Sequence, residues 1–342
     1  MKRWLALLLA GAMAASVSAC GSGDDFMEAS TELNILMAED YISDTLIADF
    51  EAANNCTVNL SYMNDAEDRT AALQNGEGEY DLVLTTDGYL QELIAEEKLE
   101  KISHDKLSNT STINDTYWGS KSYCIPYLMN YVYIIYDTET CPIEITKYND
   151  LLKPELKGKV AVLEDERGLF AMALATLGYA PNSVEDSEIE AAYNWLMKLN
   201  ENVAVYGDGK EELLDGTVSV AVTYDRVAAE VMAQKKSVQI APLTKDKVRV
   251  EVDLFVMAKD TPHKDLADAF LQYICDPEVM AANLEEYPYS CPNEVALALV
   301  SEEYHNRAER QFDYQERAYF KKDISEAEDT YEEFFQKWNE TK

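Results

Sequence analysis

The stretch that decides the fold begins Leu33-Asn34-Ile35-Leu36-Met37, continues through Ser43 to Asn54, Thr57 to Tyr62 and Ala66 to Asn75, and ends at Tyr80-Asp81-Leu82-Val83-Leu84. The first, third and fifth segments are short runs of branched and aromatic residues, the pattern of strands. The second carries Leu46, Ile47 and Phe50 at helical spacing. With a further helix over Gly88 to Lys98, the order is β-α-β-α-β-α, which implies parallel strands covered by crossover helices on both faces. A second series follows the strand Val132 to Tyr136. It comprises strand Val160 to Leu163, helices Leu169 to Leu177 and Ser187 to Leu199, strands Val203 to Tyr206 and Val218 to Thr223, and a helix from Asp225 to Lys235. Val248 to Met257 reads as one long extended segment. Beyond Pro262 the chain reads as helical almost to Lys342, interrupted at Tyr287 to Pro292. The expectation is an α/β protein of two lobes, with two mostly parallel sheets joined by a hinge at the long strands near Val132 to Asp137 and Val248 to Leu254. A length of 342 residues suits two domains, and no internal repeat is visible.

Charge narrows the partners. Sixty-four Asp and Glu face 29 Lys and Arg, a net charge of -35, which repels nucleic-acid phosphates and anionic lipid surfaces. At the start of the chain, Lys2 and Arg3 precede an apolar run from Trp4 to Ala15 that is short for a membrane span. The run closes on Val17-Ser18-Ala19-Cys20, an ending that resembles a bacterial lipobox. Residues 1–19 therefore read as a lipoprotein signal peptide, Cys20 as the lipidated first residue, and 20–31 as anchor and tether. The expected setting is extracytoplasmic, with a monomer held at the bacterial cell membrane by its lipid.

Catalytic equipment is hard to find. The five later cysteines, Cys56, Cys124, Cys141, Cys275 and Cys291, form no Cys-x-x-Cys pair, and an odd number leaves at least one thiol unpaired. His104, His263 and His305 have no metal-ligand spacing and no visible Ser or Cys partner. There is no Gly-x-Gly-x-x-Gly after a strand and no phosphate-binding loop. The chain is thus expected to be no enzyme, with no cofactor, metal site or catalytic residue, and to capture a solute. Ligands of open α/β sheets bind at the carboxyl ends of strands. Those ends carry Glu39-Asp40-Tyr41, Thr85-Thr86-Asp87, Glu164-Asp165-Glu166-Arg167 and Tyr224-Asp225, while Glu251 and Asp253 stand among apolar neighbours on the long strand. Carboxylates and phenols at such ends suit a cation, because a protonated amine leaving water needs charged acceptors and gains from an aromatic face.

The order of these motifs resembles that of the bacterial spermidine/putrescine-binding proteins of ABC importers, over nearly the whole chain beyond the tether. The matching stretches are Glu39-Asp40-Tyr41-Ile42, Tyr80-Asp81-Leu82-Val83, Tyr123-Cys124-Ile125-Pro126-Tyr127, Leu163-Glu164-Asp165-Glu166-Arg167, Met172-Ala173-Leu174 with Leu177-Gly178-Tyr179, Tyr224, Val252-Asp253, and Tyr289 with Pro292-Asn293. The resemblance implies a type II periplasmic-binding-protein fold. It also implies capture of linear polyamines between the lobes, and delivery to permease subunits driven by a cytoplasmic ATPase. It assigns the cleft to Asp40, Tyr41, Thr86, Asp165, Tyr224, Asp253 and Tyr289, with Asp87 added from its place at a strand end and Glu251 from its place on the long strand. Asp253 and Asp165 are the expected ammonium acceptors, Asp40 a third anionic contact, and Tyr41, Tyr224 and Tyr289 the walls. The lobes are expected over 32–135 with 252–297, and over 136–251 with 298–342.

Four positions depart from the family pattern. Ala38 and Glu251 stand where tryptophans are common, Tyr224 replaces another tryptophan, and Gly168 replaces a carboxylate. Glu251 is expected to replace that missing charge from another direction, and another small organic cation is the alternative ligand. Blander roles compete at several sites: Asp40 and Asp225 suit helix N-caps, and Arg167 suits a clamp on nearby carboxylates. A metal-ion carrier and an anchored hydrolase are the remaining alternatives. Against the first, the chain has 22 tyrosines but no Tyr-Tyr pair.

Overall fold

The computed structural model describes residues 31–342 except 77–78, 104, 106, 244–245, 308–317 and 320–323. The signal segment 1–19, Cys20 and its lipidation, the tether up to Ser30, and His104 lie outside the described residues.

The first series folds as β1 (Glu32–Met37), α1 (Asp44–Asn54), β2 (Thr57–Tyr62), α2 (Ala66–Asn75), β3 (Leu82–Thr86) and α3 (Leu90–Ala95). The second begins with β4 (Cys124–Asp137), β5 (Val160–Val162), α4 (Glu166–Leu177), α5 (Asp186–Asn200) and β6 (Val203–Tyr206). It continues with α6 (Lys210–Asp215), β7 (Val220–Tyr224), α7 (Asp225–Gln234), β8 (Val238–Ile240) and β9 (Val248–Met257). The C-terminal part comprises α8 (Lys264–Ile274), α9 (Pro277–Glu286), α10 (Glu294–Leu297), α11 (Glu302–His305), the two-residue β10 (Ala318–Tyr319) and α12 (Glu328–Asn339).

Local chemistry sets many of these boundaries. The side chain of Ser43 accepts from the amide of Thr45 at the start of α1, and Asp65 does the same for Glu67 at the start of α2. Asp40 caps nothing: it sits at φ 60° in the turn before α1. Asp225 is the first residue of α7, with Tyr224 in the cap position. The helical reading beyond Pro262 fails at Ala318–Tyr319, where the backbone pairs in parallel with Val248–Arg249. A strand partner, not local propensity, decided that segment.

The strands run in the order β2-β1-β3-β9-β4-β7-β5-β6, with β10 beside β9 and β8 beside β4. Each half has parallel outer strands, β2-β1-β3 and β6-β5-β7, bordered by antiparallel pairing to the long strands. The two expected sheets meet on one strand, because β4 is long enough to serve both. Its residues Cys124 to Tyr131 pair with β9, and Val132 to Tyr136 pair with β7. The change of partner falls between Tyr131 and Val132. Every residue of β4 is buried, so this hinge strand is dry on both faces.

Two apolar cores follow. One gathers Phe50, Phe255 and Phe270 with residues from β1, β3, α8 and α9, and it extends to Val300 and Tyr304. Phe50 and Phe255 meet Phe270 edge-on, with centroids 5.1 and 6.0 Å apart. The other gathers α4, α5, α12 and β5 to β7. Trp195 and Trp338 are buried in it and donate to Asn149 and Asn200 respectively, so both are core anchors. Fully burying one such aromatic contributes about 2 to 3 kcal/mol.

Candidate functional site

A cleft of about 1290 Å³ opens between the ends of the two half-sheets. Its lining includes Asp40, Tyr41 and Thr86 from the first series, Asp165 and Tyr224 from the second, Glu251 and Asp253 from β9, and Tyr289 from the loop after α9. Eight of the nine residues nominated from sequence therefore converge. Asp87 is the ninth and stands outside the lining, where its Oδ1 accepts from the amide of Val252 and fastens the end of β3 to β9. Twelve carboxylate side chains line the cleft against three arginines, Arg69, Arg167 and Arg226. The field inside such a cavity favours a cation.

Asp253 forms the floor. It lies opposite Thr86 on β3, is 1% exposed, and accepts a 2.8 Å hydrogen bond from Nδ2 of Asn130 on β4. Burial pushes its carboxyl well above the usual carboxylate range, and the negative charge of Glu251 pushes the same way. Arg69 and Asn130 pull in the opposite direction. Arg69 is itself buried, and its guanidinium donates to the carbonyls of Met63, Asn64 and Leu84. An ammonium guest beside Asp253 would favour the ionised carboxylate that burial disfavours.

The walls are phenolic. Tyr41 and Tyr289 lie with ring centroids 4.7 Å apart and planes tilted by 42°. The backbone of Tyr41 is held by Nδ2 of Asn283 at 3.0 Å and by the hydroxyl of Tyr127 at 2.9 Å. The carbonyl of Tyr289 accepts from the hydroxyl of Tyr304. Burial raises the pKa of Tyr41, Tyr89, Tyr224 and Tyr289, with nearby carboxylates adding to it in all four, so these rings remain neutral donors.

Asp165 is engaged on both oxygens. As N-cap of α4, its Oδ1 accepts from the amide of Gly168 at 2.8 Å, and its Oδ2 lies 2.5 Å from Nη1 of Arg249. The other terminal nitrogen of Arg249 pairs with Oε2 of Glu251. Arg249 is the residue that the sequence reading missed. Arg167, expected to clamp carboxylates, donates to Asn182 and lies over the ring of Tyr331 at 5.1 Å, whereas Arg249 holds Asp165 and Glu251. The available signal was a period of two along β9, which puts residues 249, 251 and 253 on one face.

Among the described residues, no cluster of three or more His, Cys, Asp and Glu is placed to hold a metal, and Cys56, Cys124, Cys141, Cys275 and Cys291 form no disulfide. His263 faces Asp81 at 2.9 Å, and neither lines the cleft. No described helix is long and apolar enough to cross a membrane.

Known proteins share this pattern. The family described as bacterial extracellular solute-binding protein matches residues 45–311. The spermidine/putrescine-binding periplasmic protein of Escherichia coli K12 is 28% identical over 349 aligned positions, covering 98% of this chain and 99% of that protein. The solved spermidine/putrescine ABC transporter substrate-binding protein PotD of Streptococcus pneumoniae superposes with a TM-score of 0.80 at 21% identity, over 91% of this chain and 99% of that one. A putative spermidine/putrescine ABC transporter from Listeria monocytogenes superposes at 0.78 with 25% identity, over 92% and 100%.

Proposed function

This chain belongs to the bacterial extracellular solute-binding proteins, and on that footing we propose that it is the substrate-binding component of an ABC importer that captures linear polyamines. The observation that carries the reading is the acidic cleft with Asp253 dry at its floor and Tyr41, Tyr224 and Tyr289 around it. The names of the relatives, spermidine/putrescine-binding among them, support the same ligand class. Charge-assisted hydrogen bonds contribute roughly 1.5 to 3 kcal/mol each and an aromatic face about 0.5 to 2 kcal/mol. A few of them, less the cost of association, amount to the roughly 8 kcal/mol of a micromolar complex.

The expected boundaries shift at two places: residues 32–131 with 252–305 act as one lobe, because Val300 and Tyr304 pack in its core, and 132–251 with α12 act as the other, closing about the Tyr131 to Val132 junction of β4. The closed form delivers the amine to permease subunits served by a cytoplasmic ATPase. Cys20 carries the lipid that keeps the monomer at the outer face of the cell membrane. The role is binding, without catalysis. The three phenols around Asp253 also favour a second reading, another small organic cation.

Calorimetry and thermal shift of the mature protein against putrescine, cadaverine, spermidine, spermine, choline and thiamine test the proposal. A saturable response to the linear amines supports it. No response to any of them overturns it.

A further inference from the structure

We propose that Arg249 sets the number of charges on the amine that the cleft accepts: its guanidinium is a resident cation between Asp165 and Glu251, and the site takes a diamine in preference to a triamine or tetraamine. This rests on the amine reading above.

Along β9, residues 249, 251 and 253 share a face, with alternate positions about 6.7 Å apart. The row thus presents a guanidinium, a carboxylate and a second carboxylate, with Asp165 reaching the guanidinium from α4. The Arg249 side chain is 4% exposed, against 21% for Asp165 and 14% for Glu251. An entering ammonium that sought Asp165 or Glu251 would compete with a fixed, desolvated, always charged partner. Asp40 is exposed at the rim, and of the three inner carboxylates, Asp165, Glu251 and Asp253, the resident cation balances one. Two negative charges remain, the complement of a diamine. Arg69, buried on the Asp253 side, weighs further against a third ammonium.

Gly168 is the counterpart of this arrangement. A Cβ there would fall 2.3 Å from Nη1 of Arg249 and 2.7 Å from Oδ2 of Asp165, so only glycine leaves the guanidinium its place. The absent side chain at 168 and the cation at 249 occupy the same space.

The test is calorimetry of the mature protein with putrescine, cadaverine, spermidine and spermine. The expected wild-type result is that putrescine or cadaverine binds more tightly than spermidine and spermine. Arg249→Met removes the guanidinium from between the two carboxylates, and the spermidine-to-putrescine affinity ratio is expected to rise by roughly tenfold or more. Gly168→Ala displaces the guanidinium without removing a charge and is expected to move the ratio the same way. That variant decides the matter if Arg249→Met does not fold. A wild-type protein that binds spermidine more tightly than putrescine, or an unchanged ratio in a folded variant, overturns the role of Arg249. Failure of every amine to bind removes the amine reading itself, an outcome distinct from binding with an unaltered ratio.

Discussion

Nδ2 of Asn130 donates to Oδ2 of Asp253 across a buried 2.8 Å hydrogen bond, joining the two long strands at the floor of the cleft. One acceptor of the carboxylate is thereby oriented by the protein, and the remaining valences are left for a guest. Asp253→Asn keeps the shape and removes the charge. The amine dissociation constant is expected to rise tenfold or more, about the loss of one charge-assisted hydrogen bond. Titration calorimetry checks this, and an unchanged constant would remove Asp253 from the site.

The same residue makes binding depend on pH. Its carboxyl titrates above the ordinary range because it is buried and near Glu251, and the protonated form cannot accept from an ammonium in the same way. Amine affinity is expected to fall as pH drops through that raised value, and the slope should be lost in Asp253→Asn. For the empty protein the sign is opposite. A carboxyl with a raised folded pKa contributes stability below its unfolded value of about 3.9, and that stability is lost as pH rises through the folded one. Asp253→Asn should therefore gain melting temperature relative to wild type, by an amount that grows as pH rises above about 3.9. A variant that melts lower than wild type at neutral pH would contradict the assignment.

Tyr41 and Tyr289 form a tilted pair, and the carbonyl of Tyr289 is fixed by Tyr304 independently of its ring. Tyr289→Phe is expected to bind amines within about twofold of wild type, whereas Tyr289→Ala should lose about threefold to thirtyfold, the range of one cation–π contact. Equal losses in the two variants would point to the hydroxyl instead of the ring face.

A separate ion pair fastens the far end of β4. Asp137 is buried and pairs with Nζ of Lys235 at 2.9 Å, and its side chain also accepts from the amide of Glu139 and the hydroxyl of Thr140. Burial pushes its pKa up, but Lys235 and these donors hold it down to about 2. A depressed carboxyl contributes stability above its unfolded pKa of about 3.9 and loses it as pH falls toward about 2. Asp137→Asn is expected to cost about 1 to 3 kcal/mol at neutral pH, and the gap to wild type should close toward pH 2 in urea melts.

Gly209 opens α6 at φ +71°, and a Cβ there would lie 2.6 Å from Cβ of Ala161 and 3.0 Å from Cβ of Ala221. Gly209→Ala should cost about 2 to 4 kcal/mol, combining left-handed strain with a backbone shift. Gly216→Ala is the control: φ is +85° but nothing lies within 4 Å, so about 1 to 2 kcal/mol is expected.

Much of the fold was legible because its elements are local. Thr57–Tyr62, Ala66–Asn75 and Val203–Tyr206 fall where periodicity places them, since alternation and helical spacing are properties of neighbouring residues. All seven side chains nominated from the family resemblance, and Glu251 nominated from the long strand, line one cleft, and strand ends carrying carboxylates and phenols were visible in the chain. Asp87 lies outside the lining while Thr86 lines it, because adjacent residues at a strand end point opposite ways and spacing alone does not say which faces the gap.

The sequence by itself determined two α/β series, their strand ends and the acidic, tyrosine-rich character of those ends, because each depends on residues close along the chain. Only the tertiary structure decided that β4 changes partner between Tyr131 and Val132, that Ala318–Tyr319 pairs with β9, and that Arg249 stands between Asp165 and Glu251. The physical reason is distance in sequence: 84 positions separate Asp165 from Arg249, and only their packing puts the guanidinium in the space that Gly168 leaves open.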